Sequence, residues 1–195
     1  RGGRSNLCTN RKLISMNYPG AFAEFITIPE QNLIPMPAGM KPTHAALTEP
    51  AATSLHAVHL AERALHRPVS EGRVLVIGGG SIGLLAALIL RSHGCPEILL
   101  CDTNPLRRET AFRTDSCVVF DPGQEPVDLE NRFELVVDAV GMEATRKLAI
   151  RAVRPGGVLM HIGLQEGSGT CDFRKITLSE ITVIGSYTYT PTDLQ

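Results

Sequence analysis

The run Arg73-Val74-Leu75-Val76-Ile77 leads directly into Gly78-Gly79-Gly80-Ser81-Ile82-Gly83, and the chain stays apolar from Ile82 to Leu90. Few folds accommodate that succession. A short apolar run of this kind suits a parallel strand buried on both faces. The glycines then mark a tight turn, and Ser81 to Ser92 reads as a helix. Gly78, Gly80 and Gly83 satisfy the spacing G-x-G-x-x-G. At such a strand-helix junction Gly78 allows the turn, Gly80 lets the backbone approach a pyrophosphate, and Gly83 lets the helix pack close to the strand. The helix start at Ser81 and Ile82 offers free N–H groups and the positive end of a dipole to phosphates. Alone the glycine pattern is weak, because any tight turn favours glycine.

The next acid strengthens it. Asp102 ends the second expected strand, Glu97 to Cys101, and lies 19 residues after Gly83. A carboxylate there takes both ribose hydroxyls and repels a 2′-phosphate, so the spacing favours NAD over NADP. Arg107 and Arg108 soften that preference, since a nearby arginine suits a phosphate, and the plain alternative for both is a solvated helix face. Two later strand ends fall on the same side: Asp138-Ala139-Val140-Gly141 and Ile162-Gly163-Leu164. Small residues there leave room for a nicotinamide ring, with Val140, Gly141, Ile162, Gly163 and Leu164 as its expected neighbours.

From Arg73 onward strand and helix alternate. Strands are expected at 73–77, 97–101, 117–120, 133–138, 158–162 and 181–184, with helices at 81–92, 105–112 and 143–153. That alternation predicts an α/β Rossmann fold, a doubly wound parallel sheet with helices on both faces. Before it, residues 18–36 read as β-rich, with a strand over Ala21 to Ile28, and residues 43–64 read as helix broken at Pro50. A net charge of −1 leaves no electrostatic footprint for nucleic acid or an acidic membrane. The longest strongly apolar run is about half a membrane span. Five cysteines without a CxxC pair suggest reduced thiols and a cytoplasmic protein.

Taken in order, the motifs resemble the medium-chain dehydrogenase/reductase family, in particular its zinc-dependent polyol branch of sorbitol, threonine and butanediol dehydrogenases. Gly20-Ala21-Phe22-Ala23-Glu24-Phe25 is similar to the family's G-x-F-A-E-[YF] segment, and Leu47-Thr48-Glu49-Pro50 with His56-Ala57 to its L-x-E-P…H-A motif. Val76 to Gly83, Asp102-x-Asn104-x-x-Arg107 and Arg154-Pro155-Gly156-Gly157 are similar to its cofactor loop, ribose stretch and last turn. The resemblance implies part of a β-rich GroES-like catalytic domain over residues 1–45 and an NAD-binding domain over residues 46–195. It implies NAD-dependent, zinc-assisted oxidation of a secondary alcohol or polyol to a ketone, in a homodimer or homotetramer. Glu49 becomes a catalytic zinc ligand, direct or through water, with a helix-capping role as the plain alternative. Cys8 becomes the fourth ligand of a structural zinc, a site that one cysteine cannot build.

The remaining catalytic ligands would precede Arg1, so this stretch alone is expected to be a poor catalyst. Where sorbitol dehydrogenases carry an Arg-Tyr pair, this chain has Thr188-Tyr189, which weakens the case for sorbitol. His56 and His161 read more readily as packing or rim histidines than as ligands. Two other readings stay open. One is a zinc-free reductase of the same fold, against which Glu49-Pro50 speaks. The other is a truncated chain that binds NAD(H) without catalysis.

Overall fold

The computed structural model describes residues 3–124 and 127–195. Its centre is one parallel sheet of β1 (Arg73–Ile77), β2 (Glu97–Cys101), β3 (Val118–Phe120), β4 (Phe133–Asp138), β5 (Val153–His161) and β6 (Thr182–Gly185). The strand order is β3-β2-β1-β4-β5-β6. The helices are α1 (Pro42–Ala45), α2 (Thr48–Ala64), α3 (Ser81–Ser92), α4 (Pro105–Phe112), α5 (Glu143–Ala152), α6 (Phe173–Leu178) and α7 (Pro191–Leu194).

The twofold side-chain period of a strand splits the core into two layers. Val74 and Val76 of β1 point into one, with Ala86, Ala87 and Leu90 of α3 and Ala57, Val58 and Ala61 of α2. Leu75 and Ile77 point into the other, with Ala149, Ile150 and Ala152 of α5. Burying both faces explains why β1 is apolar at successive positions. Each fully buried Val, Leu or Ile contributes about 2 kcal/mol.

Strands β1, β2 and β4 and helices α3 and α4 fall on the residues expected from sequence. Helix α4 starts where it does because Asn104 caps it, its side chain accepting the Leu106 and Arg107 N–H groups, with Pro105 at the first helical position. Strand β5 is longer than expected. Val153 already pairs with Phe133, and regular pairing resumes at Leu135 with Val158. The intervening Pro155-Gly156-Gly157 forms an irregularity inside the strand, with Gly156 at φ 71°. Strand β3 begins one residue late, and β6 spans Thr182–Gly185, leaving Ile181 as a buried core residue. Helices α6 and α7 were not expected; each is a short turn capped by a side chain, Asp172 for α6 and Thr190 with Asp193 for α7.

Two expectations are corrected. The break between α1 and α2 falls at Ala46 and Leu47, and Pro50 sits in the first turn of α2, where its missing N–H has no intrahelical acceptor to lose. The strand expected over residues 21–28 does not form. The segment carries no paired strand among the described residues, and residues 3–41 hold only two single-turn 3₁₀ helices, Ser5–Leu7 and Glu30–Asn32, and a lone bridge between Ile14 and Tyr18. A strand needs a neighbour to satisfy its backbone. Here the segment finds none among the described residues, and Phe22 and Phe25 stand in solvent.

Candidate functional site

The glycine turn is built as three separate contacts. Gly78 adopts φ 99°, in the left-handed region, and its N–H donates to the Cys101 carbonyl at 2.8 Å. The Gly79 N–H donates to Oδ2 of Asp102 at 2.7 Å. A Cβ on Gly83 would lie 1.8 Å from the Gly78 oxygen, so α3 is pressed directly onto the turn. A Cβ on Gly80 would meet nothing within 4 Å. Gly80 is the N-cap of α3 and provides no side-chain cap, which leaves first-turn N–H groups of the helix for another partner.

A cleft of about 240 Å³ opens there, at the carboxyl ends of β1 and β4. This is the point in the strand order where the chain reverses direction across the sheet, the place where open α/β sheets bind ligands. Gly78, Gly80, Ser81, Ile82 and Gly83 line one side, and Arg107, Ala139, Val140 and Gln165 line the other. A smaller cavity of about 110 Å³ lies at the opposite, amino ends of the strands, between Leu65, Val69, Val74 and Leu135. Of the charged residues lining it, Glu134 and Arg154 pair with each other at 2.6 Å.

Asp102 is buried and serves the backbone on both oxygens. Oδ2 accepts the Gly79 N–H, and Oδ1 accepts the Asn104 N–H at 2.7 Å. Each carboxylate oxygen retains acceptor capacity. The two arginines after it are not alike. Arg108 is turned inward, donating to the Asp102 carbonyl at 2.8 Å and pairing with Asp121 at 2.9 Å. Arg107 is 55% exposed, 3.5 Å from Asp102, and lines the cleft.

The loops after β4 and β5 form the far wall. Asp138 is fully buried; Oδ1 accepts the Val140 and Gly141 N–H groups at 3.0 and 2.9 Å, and Oδ2 accepts the Thr145 hydroxyl at 3.0 Å. Gly141 has φ 75°, and a Cβ on it would lie 2.2 Å from the Gly163 oxygen. A Cβ on Gly163 would lie 2.1 Å from the Val140 carbonyl carbon. The two loops therefore touch backbone to backbone. The structure separates the expected neighbours here: Ile162 turns its side chain into the core, Leu164 is 79% exposed, and Gln165 rather than either lines the cleft. His161 holds its Nε2 buried with no hydrogen-bond partner among the described residues, 3.9 Å from the Asp138 carboxylate.

The remaining candidates stand apart. Glu49 is exposed in the first turn of α2, does not line the cleft, and has the Thr53 hydroxyl at 3.4 Å. Tyr189 is close enough to feel it: burial first, then the Glu49 charge, push the phenol above its usual pKa. His56 is a tethering residue, its Nδ1 2.8 Å from Asp193 on α7, with His59 at 3.3 Å from the same carboxylate. Burial pushes the Asp193 pKa up, but the hydrogen bonds from Thr190 and His59 and the His56 charge outweigh it, and the net shift is downward. Cys8 is a free thiol. Burial, then the Asp102 charge, push the Cys101 thiol up to about 12. Among the described residues no three His, Cys, Asp or Glu side chains converge as a metal site would need, so these residues do not by themselves fit a zinc ion. The glycine turn, the open N-terminus of α3 and the cleft do fit a dinucleotide.

Sequence reasoning missed Gln165 and the pinning role of Asp138. Nothing in the local pattern marks Gln165. Asp138 was visible as a polar residue closing an apolar strand, which is a usable signal.

The strand order and the cleft at the reversal point define a doubly wound α/β fold of the Rossmann type. The chain belongs to the zinc-binding dehydrogenase family, whose model, described as "Zinc-binding dehydrogenase", matches residues 81–195. It is 33% identical over 200 residues to L-galactonate-5-dehydrogenase of Escherichia coli (strain K12), an alignment covering 99% of this chain and 57% of that relative. The chain thus spans little more than half the length of that curated relative. Among solved structures it resembles acetophenone reductase from Geotrichum candidum NBRC 4597 in complex with NAD, at 26% identity and TM-score 0.82 over 96% of this chain and 53% of that one. It also resembles a protein of Sinorhizobium meliloti 1021 bound to NADP, at 27% identity and TM-score 0.83 over 98% and 58%.

Proposed function

We propose that this chain is the cofactor-binding part of a cytoplasmic, NAD-dependent dehydrogenase that oxidises a secondary alcohol or polyol to a ketone. The observation that carries the reading is the glycine turn and the uncapped start of α3 on one cleft, with Asp102 buried directly behind the turn and holding the Gly79 N–H. The backbone at Gly80, Ser81, Ile82 and Gly83 would hold the pyrophosphate, where N–H groups and the helix dipole favour negative charge. Asp102 and Arg107 would hold the adenosine ribose. Val140, Gly141 and Gly163 would bound the nicotinamide half, with Ile162 acting from beneath through its backbone and Leu164 from the rim. NAD, when bound, supplies the hydride acceptor. The protein's part is to hold the dinucleotide in one orientation, and the packed loops after β4 and β5 limit water on that side. A catalytic zinc takes three protein ligands, and Glu49 supplies one, so the residues in hand do not complete that centre. Glu49 remains the proposed contribution of this stretch to it, and Cys8 its contribution to a structural zinc.

The cofactor half of the proposal is tested by fluorescence titration with NADH and NADPH. NADH is expected to bind at least about tenfold more tightly, a difference of ~1.4 kcal/mol. Asp102→Ala narrows that ratio by removing the charge facing a 2′-phosphate. It also strips an acceptor from the Gly79 and Asn104 amides, so both affinities fall and the ratio is the readout. Equal or tighter NADPH binding by the parent chain overturns the NAD assignment in favour of the exposed Arg107 as a phosphate ligand.

A homodimer or homotetramer assembled partly through β6 belongs to the same proposal. Strand β6 is the edge of the sheet, and Val183 is 48% exposed on it. A bare apolar edge invites pairing. Val183→Lys is expected to shift the full-length protein toward monomers in light scattering. A monomeric parent, or an unchanged oligomer with the lysine in place, counts against the strand.

A further inference from the structure

We propose that Arg146 is a positioning residue for the nicotinamide half of the cofactor, clasping the loop after β5 onto the first turn of α5 and so fixing the far wall of the cleft. The inference rests on the reading of that cleft as a dinucleotide site.

Arg146 stands outside the cleft lining, and its side chain is only 18% exposed. Its guanidinium gathers carbonyl oxygens from two loops. Nη1 donates to the Gly141 oxygen at 2.9 Å, in the loop after β4, and to the Glu166 oxygen at 3.3 Å, in the loop after β5. Nη2 donates to the Ser168 oxygen at 2.6 Å and lies 3.6 Å from the Glu166 carboxylate. A planar fork of donors suits this; a single ammonium does not.

Glu166 closes the clasp from the other side. Its N–H donates to the Gly141 oxygen at 2.9 Å, and its Oε2 accepts the Glu143 N–H at 2.6 Å, an amide in the first helical turn that has no intrahelical acceptor. A Cβ on Gly169 would lie 2.7 Å from Nη2 of Arg146, so the loop runs directly over the guanidinium. The residue before Glu166 is Gln165, which lines the cleft and whose N–H donates to the Val140 oxygen at 3.2 Å. One residue of the loop is thus in the wall and the next is in the clasp. Releasing the second lets the first move.

The clasp acts on one half of the site only. Asp102 and the glycine turn, which bound the adenosine half, make no contact with Arg146 among the described residues. Titration of the chain and its variants with NADH, by fluorescence, and with AMP, by calorimetry, therefore separates positioning from a general loss of structure. Arg146→Ala is expected to raise the NADH Kd about tenfold and to leave the AMP Kd within about twofold, the size of losing charge-assisted hydrogen bonds that hold a wall in place. Arg146→Lys recovers only part of the loss. Lys147→Ala, which removes the exposed neighbour paired with Glu143, leaves both constants at parent values. Should Arg146→Ala not fold, Glu166→Gln keeps the backbone contacts and is expected to raise the NADH Kd about threefold with AMP unchanged. An unchanged NADH Kd in a folded variant, or equal weakening of NADH and AMP, overturns the clasp while leaving the site intact. A parent chain that binds neither NADH nor AMP overturns the reading of the cleft and the clasp with it.

Discussion

Gly83→Ala is expected to abolish measurable NADH binding and to lower stability by about 3 kcal/mol, the upper part of the range for overpacking. The added methyl would sit 1.8 Å from the Gly78 oxygen and 3.2 Å from Cγ1 of Val76. Neither neighbour can give way: one is the backbone of the turn, the other a fully buried strand residue. Helix α3 must lift instead, which withdraws its first-turn N–H groups from the cleft. Gly80→Ala is the informative companion. Its Cβ meets nothing within 4 Å and its φ of −70° suits any residue, so stability should stay within about 0.5 kcal/mol of the parent. NADH affinity should still fall, because the methyl enters the space proposed for the pyrophosphate. Urea denaturation and NADH titration read both. A Gly83→Ala chain with parental stability and affinity would show that the close approach of helix and turn is dispensable.

The second large effect is expected at Asp138, where Asp138→Ala should cost about 4 kcal/mol of stability. The carboxylate is fully buried and serves three donors: the amides of Val140 and Gly141 and the hydroxyl of Thr145. Removing it strands the buried Gly141 amide and the partly buried Val140 amide, and each unsatisfied buried donor costs about 1–3 kcal/mol. Asp138→Asn keeps acceptor capacity on one oxygen and should cost roughly half as much. The loss should fall on the loop after β4, seen as faster amide exchange at Val140 and Gly141. A loss below about 1 kcal/mol would mean that those amides find other partners.

The sheet was legible because β1, β2 and β4 are buried on both faces, so that Val74 to Ile77, Ile98 to Cys101 and Leu135 to Val137 are short continuous apolar runs bounded by turn and polar residues. The glycine turn was legible for a steric reason: Gly78 and Gly83 have no room for a side chain, and sequence must record that. What sequence did not yield were contacts made by ordinary polar residues across long separations. The pairing of His56 with Asp193 spans 137 residues, and the capping of Glu143 by Glu166 spans 23. No local pattern marks either. The strand expected over 21–28 failed for a related reason. A β-rich composition says which residues suit a strand, and it says nothing about whether a neighbouring strand is present to receive it.

The contact between Gly141 and Gly163 has a consequence for how this site varies. Where the two loops meet, the wall is peptide against peptide, and no side chain stands at the seam. Ordinary substitution therefore has no handle on its contour: a larger residue at either position collides with main chain, and there is nothing smaller than glycine to try. Variation in preference on this side of the cleft must enter through the flanks. Gln165 faces in and Leu164 faces out, and both can be exchanged without disturbing the seam. On the proposed reading this wall is a fixed template with adjustable margins, and libraries aimed at a new preference belong at 164 and 165.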